Sequence, residues 1–432
     1  IYMCQHHQPI ENEKFVAEKK YRLADFFNMH WNEYCKHPTE FIKPEQYKAV
    51  SAIQVCQTEV LGVDYYSCPD CGEVSEVRHS CKNRFCPTCS WKDTIKWSER
   101  IKSQILNIQH RHIVFTLPHK LNPLIKRNKS LLLNILAKTS ADTLKEWARE
   151  KYNIKIGIVS VIHTFGEKKN AHYHVHMIVS WGGIDLDTGE LVELKGKEKE
   201  YVKYYFLKNK FRNLFNDALI KLFDNDLLKN NFKTRKEFMH FVKENNEKAW
   251  QIHLEPPMNT PAEVIRYIGR YSKRACLSEY KITNIEGDYI FFTYKDYREK
   301  ENPELENSPA KVKELKVHYR DFFPLLLQHV PEPYFKMVRY YGPYARFKDI
   351  PQEYKVKADE QFLEALETEY QTSEVNPKYC KACTRSKVYV TTLFDRREKI
   401  NRTEPFDISK HKHIYYERYK QKIQELNMKH AA

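Results

Sequence analysis

The sequence predicts an α+β protein in which an antiparallel sheet sits between helical regions and a zinc-bound module. Three observations carry that reading: strand-length β-branched and aromatic runs between residues 111 and 179, charged segments of helical spacing around them, and a dense group of cysteines ahead of them. A chain of 432 residues with 41% apolar content can bury more than one core, because single cores stop growing at roughly 250–300 residues. The pattern divides it into a helical and zinc-binding region at 1–105, a sheet-bearing middle at 106–300 with a charged helical insertion at about 184–250, and a mostly helical region at 301–432.

The first elements are helices, since Phe15, Tyr21, Leu23, Phe26, Phe27 and Trp31 recur at helical spacing among charged residues. Cysteines follow. Cys68 and Cys71 are two residues apart, as are Cys86 and Cys89, with 14 residues between the pairs. Two such pairs supply the closed tetrahedral shell of structural zinc. Cys81 or His79, inside the loop, are alternative ligands. Lys82, Arg84, Lys92 and Lys96 give the module a basic surface, and Arg84 is a candidate DNA contact. Eleven cysteines in so long a chain, five of them between 68 and 89, suit metal binding better than a disulfide framework. The Cys380/Cys383 pair has no obvious partner pair.

Arg111 to Leu117, closed by Pro118, reads as a strand, and Leu131 to Trp147 as a helix. Ile156 to Thr164 and His172 to Val179 are two further strands joined by a short turn, hence a hairpin. Tyr289 to Tyr294 returns to strand character. On the second hairpin strand, period-two geometry sends His172, His174 and His176 to one face and Tyr173, Val175, Met177 and Val179 to the other. The second set reads as core. Imidazoles in register pack poorly but can converge on one cation, with His174 and His176 as first choice. Glu167, across the turn, is the carboxylate that could complete the site, with His172 or His163 as alternatives.

Thr260-Pro261-Ala262-Glu263 is a capping box with proline at the first helical position, so a helix begins at about Pro261. Tyr267 and Tyr271 share a face of it, at the border between an apolar arc and a basic side carrying Arg270, Lys273 and Arg274. A free phenol is a poor nucleophile at neutral pH; a cation on the scissile phosphate and nearby guanidinium groups favour its attack.

Composition names the partner class. Lys plus Arg number 72 against 57 Asp plus Glu, a formal charge of +15, and 13% of residues are aromatic, a balance suited to phosphate attraction and base stacking. No apolar run approaches the roughly 18 residues of a membrane helix, and Ile1 to His6 has no signal pattern, so a cytosolic, DNA-associated protein is expected. No phosphate-loop motif occurs among the eleven glycines, so no nucleotide cofactor is expected.

The cysteine cluster, the histidine strand and the paired tyrosines together resemble the HUH-type, two-tyrosine transposases of rolling-circle insertion sequences, the IS91-like family. The likeness includes Val114 to His119, His163 to Gly166, Gly182-Gly183, Arg266 to Tyr271, Tyr294 to Arg298, His329 to Pro331 and Arg339 to Gly342. Tyr173 stands where that family often has proline, and the family varies at Glu167. The resemblance implies an HUH endonuclease core: a five-stranded antiparallel, RNA-recognition-like sheet with the metal histidines on its central strand. It also implies magnesium or manganese at the nuclease site, and attack by Tyr267 or Tyr271 on single-stranded, hairpin-forming element ends. The product is a 5′-phosphotyrosine, followed by strand transfer. A replication initiator or relaxase would share this chemistry; a non-catalytic zinc regulator would leave the histidines and tyrosines without a role.

Overall fold

A computed structural model describes residues 21–72, 74–90, 97, 101, 104–194, 204–246, 250–258, 275–301, 308–356 and 388–393. Helices α1 (Leu23–Lys36) and α2 (Pro44–Gln54) bury Phe26, Phe27, Trp31 and Tyr34 from the first and Ala49, Val50 and Ile53 from the second. Pro44 opens α2, where no amide donor is needed. Strands β1 (Val63–Ser67) and β2 (Val74–Arg78) form a hairpin, with Val63 opposite Arg78 at its base and Ser67 opposite Val74 at its tip.

The central region follows in the order β3 (His110–Thr116), α3 (Asn122–Arg127), α4 (Lys129–Tyr152), β4 (Ile154–Phe165), β5 (Ala171–Asp185), β6 (Leu191–Glu193), α5 (Tyr204–Asp224), α6 (Arg235–Asn246) and β7 (Gln251–Met258). Its buried positions explain its layers. Along α4, Leu133, Leu136, Ala137, Ser140, Ala141 and Leu144 recur every three or four residues. The helix stops at Asn153, whose φ of 56° falls in the left-handed region that asparagine tolerates. Along α5, Leu207, Phe211, Phe215 and Leu219 lie four apart and pack with Trp250, with α4 and with the sheet residues Phe115, Tyr173, Val175 and Met177. The charged stretch read from sequence as an insertion is therefore part of the main core. Its exposed face carries the charge that disguised it.

Strands β8 (Ile282–Glu286), β9 (Tyr289–Lys300) and β10 (Ala310–His318) come next, then α7 (Tyr319–Leu327), β11 (Val338–Tyr341) and β12 (Val388–Leu393). The central sheet is antiparallel in the order β11-β4-β5-β3-β7, with β6 added beside the end of β5. β8, β9 and β10 form a separate three-stranded sheet, and β1 lies between β2 and β12 in a third. The fold is thus mixed α+β with antiparallel sheets.

Two sequence expectations differ from what the described residues show. Those beyond 300 mix strand and helix about equally, with β10, β11 and β12 beside one α-helix and the 3-10 stretches Gly342–Asp349 and Gln352–Tyr354. Positions 105 and 300, for their part, do not separate independent units: α1 and α2 share a core with Leu277, Ile290, Phe292, Phe322 and Phe323. Chain continuity suggests boundaries that long-range packing erases.

The two faces of the central sheet differ. One lies under α4 and α5. On the other, Val159 and Ile178 pack with Trp97, Ile105 and the fully buried Tyr344. Gly157 makes that packing possible, because a Cβ there would lie 2.5 Å from the Tyr344 ring. The Tyr344 hydroxyl lies 2.6 Å from His110 Nε2.

A second buried histidine, His329, spans the β4–β5 turn: its ring nitrogens lie 3.0 Å from Thr164 Oγ1 and 2.8 Å from the Lys169 carbonyl. Burial pushes His110 down to about 4 and His329 to about 3, against an unfolded value near ~6.5. Below that value the unfolded chain takes up these protons first, so their contribution is complete above pH ~6.5 and is lost as pH falls toward the folded values. Each histidine contributes a slope of about 1.4 kcal/mol per pH unit in that window. Urea unfolding at pH 7.5 and pH 5 is expected to show a loss on the order of 4 kcal/mol at the lower pH. Equal stability at the two pH values would contradict this.

Candidate metal centres

The histidine centre is made by register. β5 is the middle strand of the five-strand order, and its neighbour β4 places His163 directly opposite His174 and Val161 opposite His176. Partners in an antiparallel ladder share a face. His163, His174 and His176 therefore meet, each with a ring nitrogen within 4.8 Å of the others. An ion bound at about 2.0–2.1 Å to each nitrogen needs separations near ~3.4 Å in tetrahedral geometry, so small side-chain rotations would close the set.

Protonation favours the same use. Burial first, then the neighbouring imidazoles, hold His174 and His176 well below the ordinary histidine range. They are neutral, the form that donates a lone pair. His174 Nδ1 lies 3.0 Å from the His172 carbonyl, which fixes it as the N–H and leaves Nε2 for a ligand bond.

His176 is oriented by a relay that sequence reading did not find. Its Nδ1 lies 2.8 Å from His112 Nε2, and His112 Nδ1 lies 3.3 Å from Glu255 Oε1. With the carboxylate accepting from His112 Nδ1–H, His112 Nε2 accepts from His176 Nδ1–H, and His176 Nε2 is left as donor to a cation. Such carboxylate–histidine partners typically change metal affinity 10–100-fold. Glu255→Gln is expected to weaken manganese binding about tenfold with little change in folding, and calorimetric titration would read it. Unchanged affinity would remove the relay. The missing signal was pairing: β3 brings His112, opposite Ile178, onto the histidine face, and β7 flanks β3.

Glu167, the carboxylate favoured from sequence, is not in this cluster. Its Oε2 accepts from Lys281 Nζ at 2.9 Å and from the Lys295 amide at 3.2 Å. Burial alone would raise its carboxyl, but these donors outweigh it and hold the group below the usual range. It braces the β4–β5 turn against the outer sheet. His172 stands at the rim, its ring 4.8 Å from that of His174 and 5.2 Å from that of His119. A groove beyond it is lined by His119, Glu167, Lys168, Asn170, Tyr294, Lys295, Asp296, Tyr297 and Arg298, with Arg298 paired to Asp296 at 2.8 Å. Tyr267, Tyr271, Arg270, Lys273 and Arg274 lie outside the described residues.

The cysteine centre also differs from its sequence expectation. Cys56, Cys81, Cys86 and Cys89 converge, with sulfur separations of 3.6 Å for Cys56–Cys89, 3.5 Å for Cys81–Cys89 and 3.6 Å for Cys56–Cys86. Zinc–sulfur bonds of about 2.3 Å require edges near ~3.8 Å, so the set fits tetrahedral zinc. Cys68 and Cys71 are corrected out of it. They sit at the tip of the β1–β2 hairpin, whereas Cys81 follows its base. Four residue steps along β1 span about 13 Å. Cys56, just past the end of α2, takes part instead. His79 is used elsewhere: Nδ1 meets the Leu61 carbonyl at 2.9 Å and Nε2 meets Asp64 at 2.9 Å. Arg84 is half-buried beside the cluster.

Because Cys86 and Cys89 belong to the core shared by α1, α2 and Phe292, stripping this metal should destabilise that core. Structural zinc contributes folding free energy outright. Strong chelation is expected to lower the unfolding temperature of this shared core, as followed by calorimetry, while zinc restores it. An unchanged transition in zinc-free protein would contradict the assignment.

Residues 157–350 match the family described as "Putative transposase", and residues 26–117 match the "Transposase zinc-binding domain". The chain is 28% identical over 334 residues to "Putative transposase y4qJ" of Sinorhizobium fredii (strain NBRC 101917 / NGR234), covering 76% of this chain and 81% of that protein. It is 29% identical over 299 residues to "Transposase for insertion sequence element IS801" of Pseudomonas savastanoi pv. phaseolicola, covering 68% and 69%. No solved structure matches it.

Proposed function

From a chain that is an IS91-like transposase in both of its matched regions, we propose the chemistry: an HUH-type nuclease that cuts one DNA strand with tyrosine and transfers it. The observation that carries this reading is the convergence of His163, His174 and His176 on adjacent strands of the central sheet. These three residues would hold a divalent cation. When bound, the cation draws charge from a scissile phosphate oxygen. Three imidazoles form a softer set than two with a carboxylate, which favours manganese over magnesium.

The chain's residues supply the rest. A tyrosine Oη, from Tyr267 or Tyr271, attacks phosphorus; the P–O3′ bond breaks, the 3′-oxygen leaves and takes up a proton, and the phenolic proton passes to solvent. The products are a 5′-phosphotyrosine and a free 3′-hydroxyl. Attack of a 3′-hydroxyl on that linkage reverses the exchange and rejoins strands, so no nucleotide hydrolysis is required. Arg270, Lys273 and Arg274 would offset phosphate charge.

The groove beside His119 suits an unpaired strand. Tyr297 is 72% exposed there, enough to offer a ring face to a base, and Lys168 Nζ lies 4.7 Å from the Tyr294 ring centre. Exposed aromatics among cations are how single strands are held without base pairing. Among the described residues no helix is long and apolar enough to cross a membrane.

The test is incubation of end-labelled single strands from element ends with protein and manganese. Cleavage that leaves a free 3′-hydroxyl and a protein-linked 5′ fragment is expected on single strands and not on blunt duplex. Cleavage of duplex alone, or hydrolysis to a free 5′-phosphate, would overturn the reading.

A further inference from the structure

We infer that the exposed face of the β8–β9–β10 sheet is a platform for single-stranded DNA, on which Tyr289 and Phe291 stack bases and Lys316 holds backbone phosphate. The inference rests on the reading of the protein as one that acts on unpaired DNA, and it extends the strand's path well beyond the groove at Tyr297.

Alternation along β9 makes the two faces of this sheet. Ile290 and Phe292 are fully buried in the core shared with α1 and α7. Period-two geometry turns Tyr289, Phe291, Thr293, Lys295 and Tyr297 to the opposite side. There Tyr289 is 38% exposed, Tyr297 and Lys295 are exposed and Phe291 is half-buried. The register of β10 adds Lys316, itself exposed, directly opposite Phe291. Its Nζ lies 4.3 Å from the centre of the Tyr289 ring and 5.3 Å from that of Phe291.

Single apolar side chains on a protein surface are ordinary. Three aromatic side chains on one exposed strand face, two of them beside one ammonium group, have the composition of a single-strand platform. Every base has a face to stack, and lysine attracts phosphate whatever the sequence. The acidic side chains on this face fit that use. Glu314, opposite Thr293, accepts from the Thr283 hydroxyl at 2.5 Å, and Glu286 stands opposite Tyr289 on β8. Phosphates are therefore drawn to Lys316 and Lys295, and the middle of the face is left to bases.

The face is continuous with the groove. Lys295 and Tyr297 line that groove, and Glu167 ties this end of β9 to the β4–β5 turn through the Lys295 amide. From Tyr297 to Tyr289 the strand covers eight residue steps, about 27 Å. A strand leaving the histidine centre through the groove would meet Phe291 and Tyr289 next.

Fluorescence anisotropy in EDTA, where no strand is cut, tests the platform with the full-length protein and a labelled polythymidine of about 15 nucleotides, near the upper end of single-strand site sizes. Wild type is expected to prefer this strand to a blunt duplex of equal length. Tyr289→Ala is expected to weaken single-strand binding about tenfold, and Tyr289→Trp, which keeps a ring, to bind as wild type does. Lys316→Ala is expected to lower the slope of log affinity against log salt by about 0.7, the share of one phosphate contact. Both positions are exposed, so the thermal unfolding temperature should stay at the wild-type value. Wild-type affinity in Tyr289→Ala, an unchanged salt slope in Lys316→Ala, or equal weakening by Tyr289→Trp and Tyr289→Ala would each overturn the platform while the groove reading stands. A wild-type protein without preference for the single strand would overturn the wider reading and the platform with it.

Discussion

Replacing His174 or His176 with alanine is expected to lower single-strand cleavage by roughly a thousandfold or more, because each removes one of three imidazoles around the proposed cation. Binding of a single-stranded oligonucleotide should change by less than about threefold, since affinity rests on Lys and Arg contacts to phosphates. His163→Ala should behave like the other two. Glu167→Ala is the discriminating control: its carboxylate serves Lys281 and the Lys295 amide, so manganese affinity should stay within about twofold, against the 10–100-fold changes that accompany loss of a ligand's partner. Paired cleavage and fluorescence-anisotropy assays read both quantities. Normal cleavage by both strand-β5 variants would remove the metal centre from the mechanism.

The second large effect concerns Tyr267 and Tyr271. Four positions apart on one helix, their Cα atoms would be about 6 Å apart, close enough for each hydroxyl to reach one phosphate in turn. A single nucleophile is occupied by its own adduct after one cut, whereas two can hold one end while the other is cut. Tyr→Phe removes the attacking oxygen and almost no volume. Each single variant is therefore expected to retain partial oligonucleotide cleavage and to lose complete transposition. The double variant should form no covalent adduct. Adduct formation by the double variant would move the nucleophile elsewhere, with Tyr294 and Tyr297 in the groove next to test.

The β4–β5 hairpin was legible because alternation, β-branching and a turn-rich interval are local signals. Its third histidine, His163, was legible only as an alternative to Glu167, because of a bulge. Phe165 pairs with Ala171, and an unbroken ladder would carry that register to His163 opposite Tyr173, on the core face. The irregularity between His163 and Phe165 shifts the pairing to His174 and turns His163 toward the cluster. Glu167 looked favourable only while that shift was invisible. Likewise, the cysteine spacing announced zinc but concealed which sulfurs meet. A hairpin carries Cys68 and Cys71 away from Cys81, and the end of α2 delivers Cys56 in their place. The pairing of β12 with β1 joins segments more than three hundred residues apart, and a single sequence holds no local trace of it. Buried Leu207, Phe211, Phe215 and Leu219 did announce a packed helix, but the charge on its other face drew attention instead.

Peptide mapping of the protein–DNA adduct tests the central claim most directly. The wild-type protein would be incubated with a single-stranded element end and manganese, digested with nuclease and trypsin, and analysed by mass spectrometry. Trypsin cuts after Arg266, Arg270 and Lys273, so Tyr267 and Tyr271 fall on different peptides and each can be read separately. The account predicts a nucleotide phosphate on one or both of these peptides, lost in the His174→Ala protein. A nucleotide on any other residue, or cleavage without a covalent adduct, would contradict it.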